Sequence, residues 1–199
     1  MPFGITSAPE VYQRMMEQVI AGLEGVLVSA DDILVFAPDV ERLDSYTELL
    51  FQRLLDAGLR LNGEKCVVEP STEVKFLGHI VSADGIKPDP EKVEAIRQLK
   101  KPTCPSSLRS FLGMVNYLAK FIPALSTLNG PLRDLTRTAT PWQWSQVHDE
   151  AFDSIKQAIS ENTLLRNFNP ALPLVLQCDS SSYGVGAALM QDGQPIAYG

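Results

Sequence analysis

The sequence offers little from which a histidine or cysteine centre could be built. Its three cysteines, Cys66, Cys104 and Cys178, are far apart and lack C-x-x-C spacing. They predict neither a disulfide framework nor a zinc site, and they suit a reducing compartment. Only two histidines, His79 and His148, are present, which argues against a histidine-rich metal site. No apolar run approaches the roughly 20 residues that span a bilayer. The opening Met1-Pro2-Phe3-Gly4 has no basic stretch followed by an apolar one, so neither a signal peptide nor a membrane partner is expected. Internal repeats and low-complexity tracts are missing too. What is present is a hydrophobic content of 45% in 199 residues, enough for one large globular domain or two small ones.

Charge is scarce in one sign overall but not locally. The net charge of −7 is a poor match for phosphate binding. Residues 86–137, however, carry nine basic side chains (Lys87, Lys92, Arg97, Lys100, Lys101, Arg109, Lys120, Arg133 and Arg137) against four acidic ones. That stretch is net positive, and the remainder correspondingly acidic. The pattern is compatible with a phosphate track beside an acidic metal site, and equally with a solvated helical face.

Periodicity predicts an α+β region, then helices, then a return to strands. Residues 7–21 read as a helix with Pro9 in its first turn and apolar positions at Val11, Met15, Val19 and Ile20. Val26–Val28 and Ile33–Phe36 flank a polar break and read as a hairpin. A helix over 41–57 follows, with Leu43, Tyr46, Leu50 and Leu54 on one face and Gly58 as its stop. Residues 59–61 and 66–68 are candidate strands about Asn62-Gly63. Residues 74–81 with Ile86-Lys87 predict another hairpin through Ala83-Asp84-Gly85. Asp89-Pro90 starts a helix to about Leu99, and a Pro/Ser linker leads to further helices carrying Leu108, Phe111, Leu112 and Val115, and then 128–135. Ser145 caps a helix with Val147, Phe152, Ile155 and Ile159 inward. Strands at 174–178, 185–190 and 196–198 end the pattern.

Asp31-Asp32 is the pair with chemical potential. Adjacent side chains of a strand point to opposite faces, so two neighbouring carboxylates converge only where the backbone turns. A hairpin tip supplies that turn. Such a pair can contribute to a two-metal site, with ions about 3.5–4 Å apart, that activates a 3′-hydroxyl and stabilises leaving pyrophosphate. Taken alone, it could equally be a solvated turn, where Asp is common.

The flanking residues add a resemblance. Met1-Pro2-Phe3-Gly4-Ile5-Thr6-Ser7-Ala8-Pro9 with Gln13 resembles the nucleotide- and template-contacting segment of gypsy-like retrotransposon reverse transcriptases. Asp31-Asp32 followed by Ile33-Leu34-Val35-Phe36 resembles their Tyr-x-Asp-Asp hairpin. Gly58-Leu59-Arg60-Leu61-Asn62 with Lys65-Cys66, and Lys75-Phe76-Leu77-Gly78-His79, are similar to the next palm motifs. Leu108–Gly113, Asn116-Tyr117 and Phe121-Ile122-Pro123 resemble the thumb and connection. Asp179 with Ser181, Tyr183-Gly184, Gly186 and Ala187 resembles the opening of the tethered ribonuclease H. The resemblance is collinear over nearly the whole chain.

It implies an α+β fold: the C-terminal part of a polymerase palm (1–87), thumb and connection helices (88–140) and the start of a ribonuclease H-like domain (141–199). It implies Asp31, Asp32 and Asp179 as catalytic metal ligands, with Mg2+ as cofactor. Phe3, Gly4 and Lys65 would meet the nucleotide, Lys65 being equally readable as a surface charge. Phe76, Leu77 and Gly78 would form the primer grip, and Lys100, Lys101 and Arg109 would follow the nucleic-acid backbone. The partners would be an RNA/DNA primer–template and dNTPs, in the cytoplasm or a retrotransposon particle. Ser29 stands where the family has tyrosine. The family's other palm aspartate lies upstream of Met1 and the further ribonuclease H carboxylates lie beyond Gly199. Both sites are therefore expected to be half sites, with an upstream polypeptide half missing and the chain inactive alone. Two other readings stay open: a non-catalytic nucleic-acid-binding or interaction protein derived from a truncated element, and a gene remnant without activity.

Overall fold

The computed structural model describes residues 5–138, 140–161, 164–181 and 184–199. The predicted residues Phe3, Gly4 and Tyr183 lie outside them. The chain divides between Thr72 and Glu73 into two compact units. This groups the strands of 73–88 with the helices that follow.

The first unit contains α1 (Ala8–Ile20), β1 (Val26–Ser29), β2 (Asp32–Val35), α2 (Val40–Asp56) and a 3-10 turn at Gly63–Lys65. Pro9 sits in the first turn of α1, where its missing N–H costs nothing. The Asp39 carboxylate accepts from the Arg42 N–H at 2.8 Å and caps α2. Gly58, at φ +70°, ends that helix. β1 and β2 are antiparallel, with Ser29 opposite Asp32. Met16, Val26, Leu50 and Leu54 make a small core, joined by Tyr12, Val19, Leu23 and Ile33. The inward stripe of α1 thus runs through Tyr12, Met16 and Val19, whereas Val11 and Met15 are exposed. The strands expected at 59–61 and 66–68 are not formed. Asn62 instead accepts from the Glu64 N–H at 3.1 Å and opens the 3-10 turn, and Val67 and Val68 lie exposed with no strand partner.

The second unit holds two sheets around a helical core. The first, ordered β3-β4-β5-β6, comprises Glu73–Phe76, His79–Ser82, Gly85–Pro88 and Leu165–Arg166. The run at 74–81 is not one strand. Leu77 and Gly78, at φ +49° and +72°, reverse the chain and pair Phe76 with His79. The β-prone residues on both sides of Leu77-Gly78 read as one strand and hid that turn. β6 was not foreseen from its two residues, yet it depends on a glycine: a Cβ on Gly85 would collide with the Leu165 carbonyl.

The helices are α3 (Pro90–Arg97), α4 (Pro105–Tyr117), a 3-10 turn (Ala119–Phe121), α5 (Leu125–Asp134) and α6 (Gln146–Ser160). Leu108, Val115, Leu118, Leu132 and Ile155 are at most 1% exposed. Each buried side chain of this size contributes about 1.5–3 kcal/mol relative to exposure, so packing fixes these short helices more than propensity does. The final sheet, ordered β7-β8-β9, comprises Val175–Ser180, Val185–Gln191 and Gln194–Tyr198. No helix among the described residues is long and apolar enough to cross a membrane.

One ion pair ties β3 to α3. Asp89 is 2% exposed, caps α3 through the Glu91 N–H, and meets Lys75 Nζ at 2.8 Å. The bond to Lys75 holds the Asp89 carboxyl below its ordinary range, against the opposing effect of burial. Asp89 in turn, with Glu91, raises the Lys75 ammonium. A carboxylate depressed on folding stabilises the fold fully above its ordinary value, 3.8, and loses that contribution as pH falls through its lower folded value. A lysine raised on folding contributes below 10.5 and loses its contribution above it. Between those limits the pair is pH-insensitive. Asp89→Asn keeps a capping group but not the charge. The stability gap between wild type and Asp89→Asn, measured by urea unfolding, should be constant from pH 5 to about 8 and close as pH falls below 3.8.

Candidate functional site

The Asp31-Asp32 tip is built from two strands and a helix. A two-residue loop, Ala30-Asp31, joins Ser29 to Asp32, and the first loop residue takes φ +50°. Positive φ at that position suits the right-handed twist of paired strands, but it strains any residue other than glycine. Gln13 of α1 secures it. Its side-chain oxygen accepts from the Ala30 N–H at 2.7 Å, and its amide nitrogen donates to the Val28 carbonyl at 3.2 Å. The same amide group also reaches Glu17 at 2.9 Å. Gln13 was visible in the sequence as part of a motif, but its hold on the turn was not.

Asp31 in the loop and Asp32 at the start of β2 are consecutive and exposed, beside strands that bury Val26 and partly bury Val28, Ile33, Leu34 and Val35. That arrangement can offer carboxylate oxygens to a hard divalent cation. The donor set is incomplete for a pair of ions: among the described residues no three His, Cys, Asp or Glu groups converge. Two carboxylates fit as part of a two-metal site. Ser29, opposite Asp32, leaves the tip without an aromatic ring. Lys65 closes the 3-10 turn of this unit and is exposed.

In the second unit, Phe76, Leu77 and Gly78 form the β3–β4 reversal. The Tyr117 hydroxyl donates to the Leu77 carbonyl at 2.9 Å, and Lys92 Nζ lies 3.9 Å from the Tyr117 ring centroid. His79 stacks on that ring at 5.5 Å and 18°, and also meets Phe121. Burial, then the charges of Lys120 and Lys92, holds its imidazole below the usual range. Of the three expected backbone-binding cations, two are engaged within the protein. Lys101 pairs with Asp149 at 2.5 Å, and Arg109 donates to the Thr136 carbonyl at 2.8 Å. Lys100 is exposed, with no ion pair among the described residues.

Asp179 lies in β7 opposite Gly186, exposed, and accepts from the Ser180 N–H at 2.8 Å. Ser181 beyond it accepts from Thr127 of α5 at 3.0 Å. The end of β7 is therefore tied to α5.

Residues 1–81 match the family described as reverse transcriptase (RNA-dependent DNA polymerase), and residues 144–199 match the RNase H-like domain found in reverse transcriptase. The Pol polyprotein of transposon 297 from Drosophila melanogaster is 36% identical over 100% of the chain. The chain belongs to the retrotransposon reverse transcriptases. The Tf2-3 polyprotein of Schizosaccharomyces pombe is 35% identical over 96% of the chain. This chain spans only 19% and 14% of those two relatives. Among solved structures, the foamy viral protease–reverse transcriptase in complex with dsDNA is similar across the whole chain, at a TM-score of 0.87 and 26% identity, with 42% of that protein covered. The same viral protein in complex with an RNA/DNA hybrid gives the same TM-score, with 27% covered. The expected α+β order, with palm-type strands before helices and ribonuclease H-like strands last, agrees with these likenesses.

Gln13→Leu removes the acceptor of the Ala30 N–H while leaving the helix intact. One hydrogen bond of this kind stabilises by about 0.5–1.5 kcal/mol. Amide hydrogen exchange should therefore accelerate up to about tenfold at Ala30 and remain unchanged in α2.

Proposed function

We propose that this chain supplies the Asp-Asp hairpin, primer-contacting hairpin and thumb of an RNA-directed DNA polymerase, whose two-metal site is completed by carboxylate from a further polypeptide segment. The observation that carries the reading is the two-residue turn that sets Asp31 and Asp32 side by side within the matched segment. Residues 1–87 form the palm part, 88–140 the thumb and connection, and 141–199 the ribonuclease H-like start.

Asp31 would ligate a divalent cation, Mg2+ in the parent enzyme, with Asp32 supporting it. When bound, the metal pair lowers the barrier by activating the 3′-hydroxyl and stabilising the leaving pyrophosphate. The chain's own contribution is positional: Gln13 holds the turn, and the β1–β2 pairing fixes the backbone that carries both aspartates. Phe3 and Gly4 would line the nucleotide pocket, and Lys65 would approach the pyrophosphate. Phe76, Leu77 and Gly78 would meet the primer end. Lys100 is the freest of the three cations assigned to the nucleic-acid backbone, since Lys101 and Arg109 have internal partners. Asp179 would be the first carboxylate of a ribonuclease H-type metal site. The partners are an RNA/DNA primer–template and dNTPs, a reading supported by the nucleic acids named for the foamy viral structures. Cytoplasm or a retrotransposon particle is the setting this chemistry implies.

By ligand count, the chain alone should neither extend a primer nor cut a hybrid. Grafted in place of the corresponding segment of a complete relative, it should support magnesium-dependent primer extension. Asp31→Asn in that chimera should lower extension at least about a hundredfold, since a metal contributes several kcal/mol to the transition state. Extension by the isolated chain, or an active Asp31→Asn chimera, would count against the reading.

A further inference from the structure

The β3–β4 reversal carries a cation that the charge pattern alone did not single out. Lys92 projects from α3 onto the Tyr117 ring, 3.9 Å from its centroid, and a Cβ on Gly78 would collide with both the Lys92 ammonium and the Tyr117 hydroxyl. The ammonium therefore lies against the hairpin tip at Gly78, whose φ of +72° also favours glycine.

Its electrostatic situation is unusual for a lysine beside acidic residues. Of the acids that flank it in sequence, Asp89 and Glu91 are taken by Lys75, at 2.8 and 2.7 Å, and Glu94 by Arg97, at 3.0 Å. Among the described residues, Lys92 forms no ion pair within 4 Å. Lys92 and the partly desolvated Lys120 both act on the His79 imidazole, which burial first and then these two charges hold below its usual range. A half-buried, unpaired ammonium held by an aromatic ring is preorganised for an anion, because little side-chain freedom remains to be lost on binding. The tyrosine does two things at once: its ring seats the ammonium, and its hydroxyl fixes the Leu77 carbonyl at the strained turn.

We propose that Lys92, seated on Tyr117 at the Leu77-Gly78 tip, binds a backbone phosphate of the nucleic acid, with Tyr117 acting as the positioning residue for both the cation and the tip. This rests on the reading of Phe76–Gly78 as a nucleic-acid-contacting hairpin. It assigns the phosphate contact nearest that hairpin to α3 rather than to Lys100, Lys101 or Arg109.

The test is fluorescence anisotropy of the full chain with a short labelled RNA–DNA hybrid, between 50 and 200 mM salt. A phosphate contact contributes a slope of about −0.9 in log affinity against log salt. Lys92→Gln should reduce the magnitude of the slope by about that amount and lower affinity about tenfold at 50 mM salt, while Lys92→Arg restores both. Tyr117→Leu, which retains the charge but removes its seat, should also lower affinity. A Lys92→Gln slope equal to wild type would overturn the proposal while leaving the hairpin reading intact. No hybrid binding by wild type itself would overturn that reading, and the proposal with it.

Discussion

Two tight chain reversals, at Ala30-Asp31 and at Leu77-Gly78, anchor the account, and each is held by a side chain brought from a helix. At the first, a left-handed Ala30 places Asp31 and Asp32 together, with Gln13 satisfying the Ala30 N–H. At the second, a left-handed Leu77 and Gly78 expose the β3–β4 tip, with Tyr117 satisfying the Leu77 carbonyl. Neither turn has glycine at its first loop position, where it would be least strained. Non-glycine residues there cost about 1–3 kcal/mol and persist only where their surroundings over-determine them. The helical clamps provide that over-determination.

The clamps also explain why the helices matter to strand chemistry. Tyr117 reaches its partner across forty residues of sequence, and its helix is fixed by Leu108, Phe111 and Val115 in the main core. Lys75 ties the same hairpin to α3 through Asp89. Core packing, one ion pair with a buried carboxylate and one hydroxyl therefore converge on the stretch from Lys75 to His79. Disturbing the core of the second unit should consequently register at the hairpin before it registers as global unfolding.

Much of this was legible in sequence. The Asp31-Asp32 hairpin could be read because apolar runs flank a polar break, and α2 and α6 because their apolar residues recur at helical spacing. The β-prone stretch at 74–81 concealed a turn whose signal was the single glycine Gly78, since Leu77 beside it carries none and takes a left-handed backbone in a turn tied to Tyr117, forty residues away. On the inward face of α1, Val19 and Ile20 were read correctly, but Val11 and Met15 are exposed and Tyr12 and Met16 take their place, a choice between like neighbours that only packing makes. Strands at 59–61 and 66–68 failed because their β-prone residues have no partner to pair with. Charge counting ranked Lys100, Lys101 and Arg109 together, although only geometry reveals that Asp149 and Thr136 already hold two of them.

The central claim is that Asp31-Asp32 is one part of a two-ion site whose remaining ligands come from elsewhere. Manganese titration followed by electron paramagnetic resonance tests it most directly. The account predicts a single, weakly held ion on this chain, lost in Asp31→Asn, with no coupling between neighbouring ions. A spin-coupled manganese pair on the chain alone, or binding indifferent to Asp31→Asn, would contradict it.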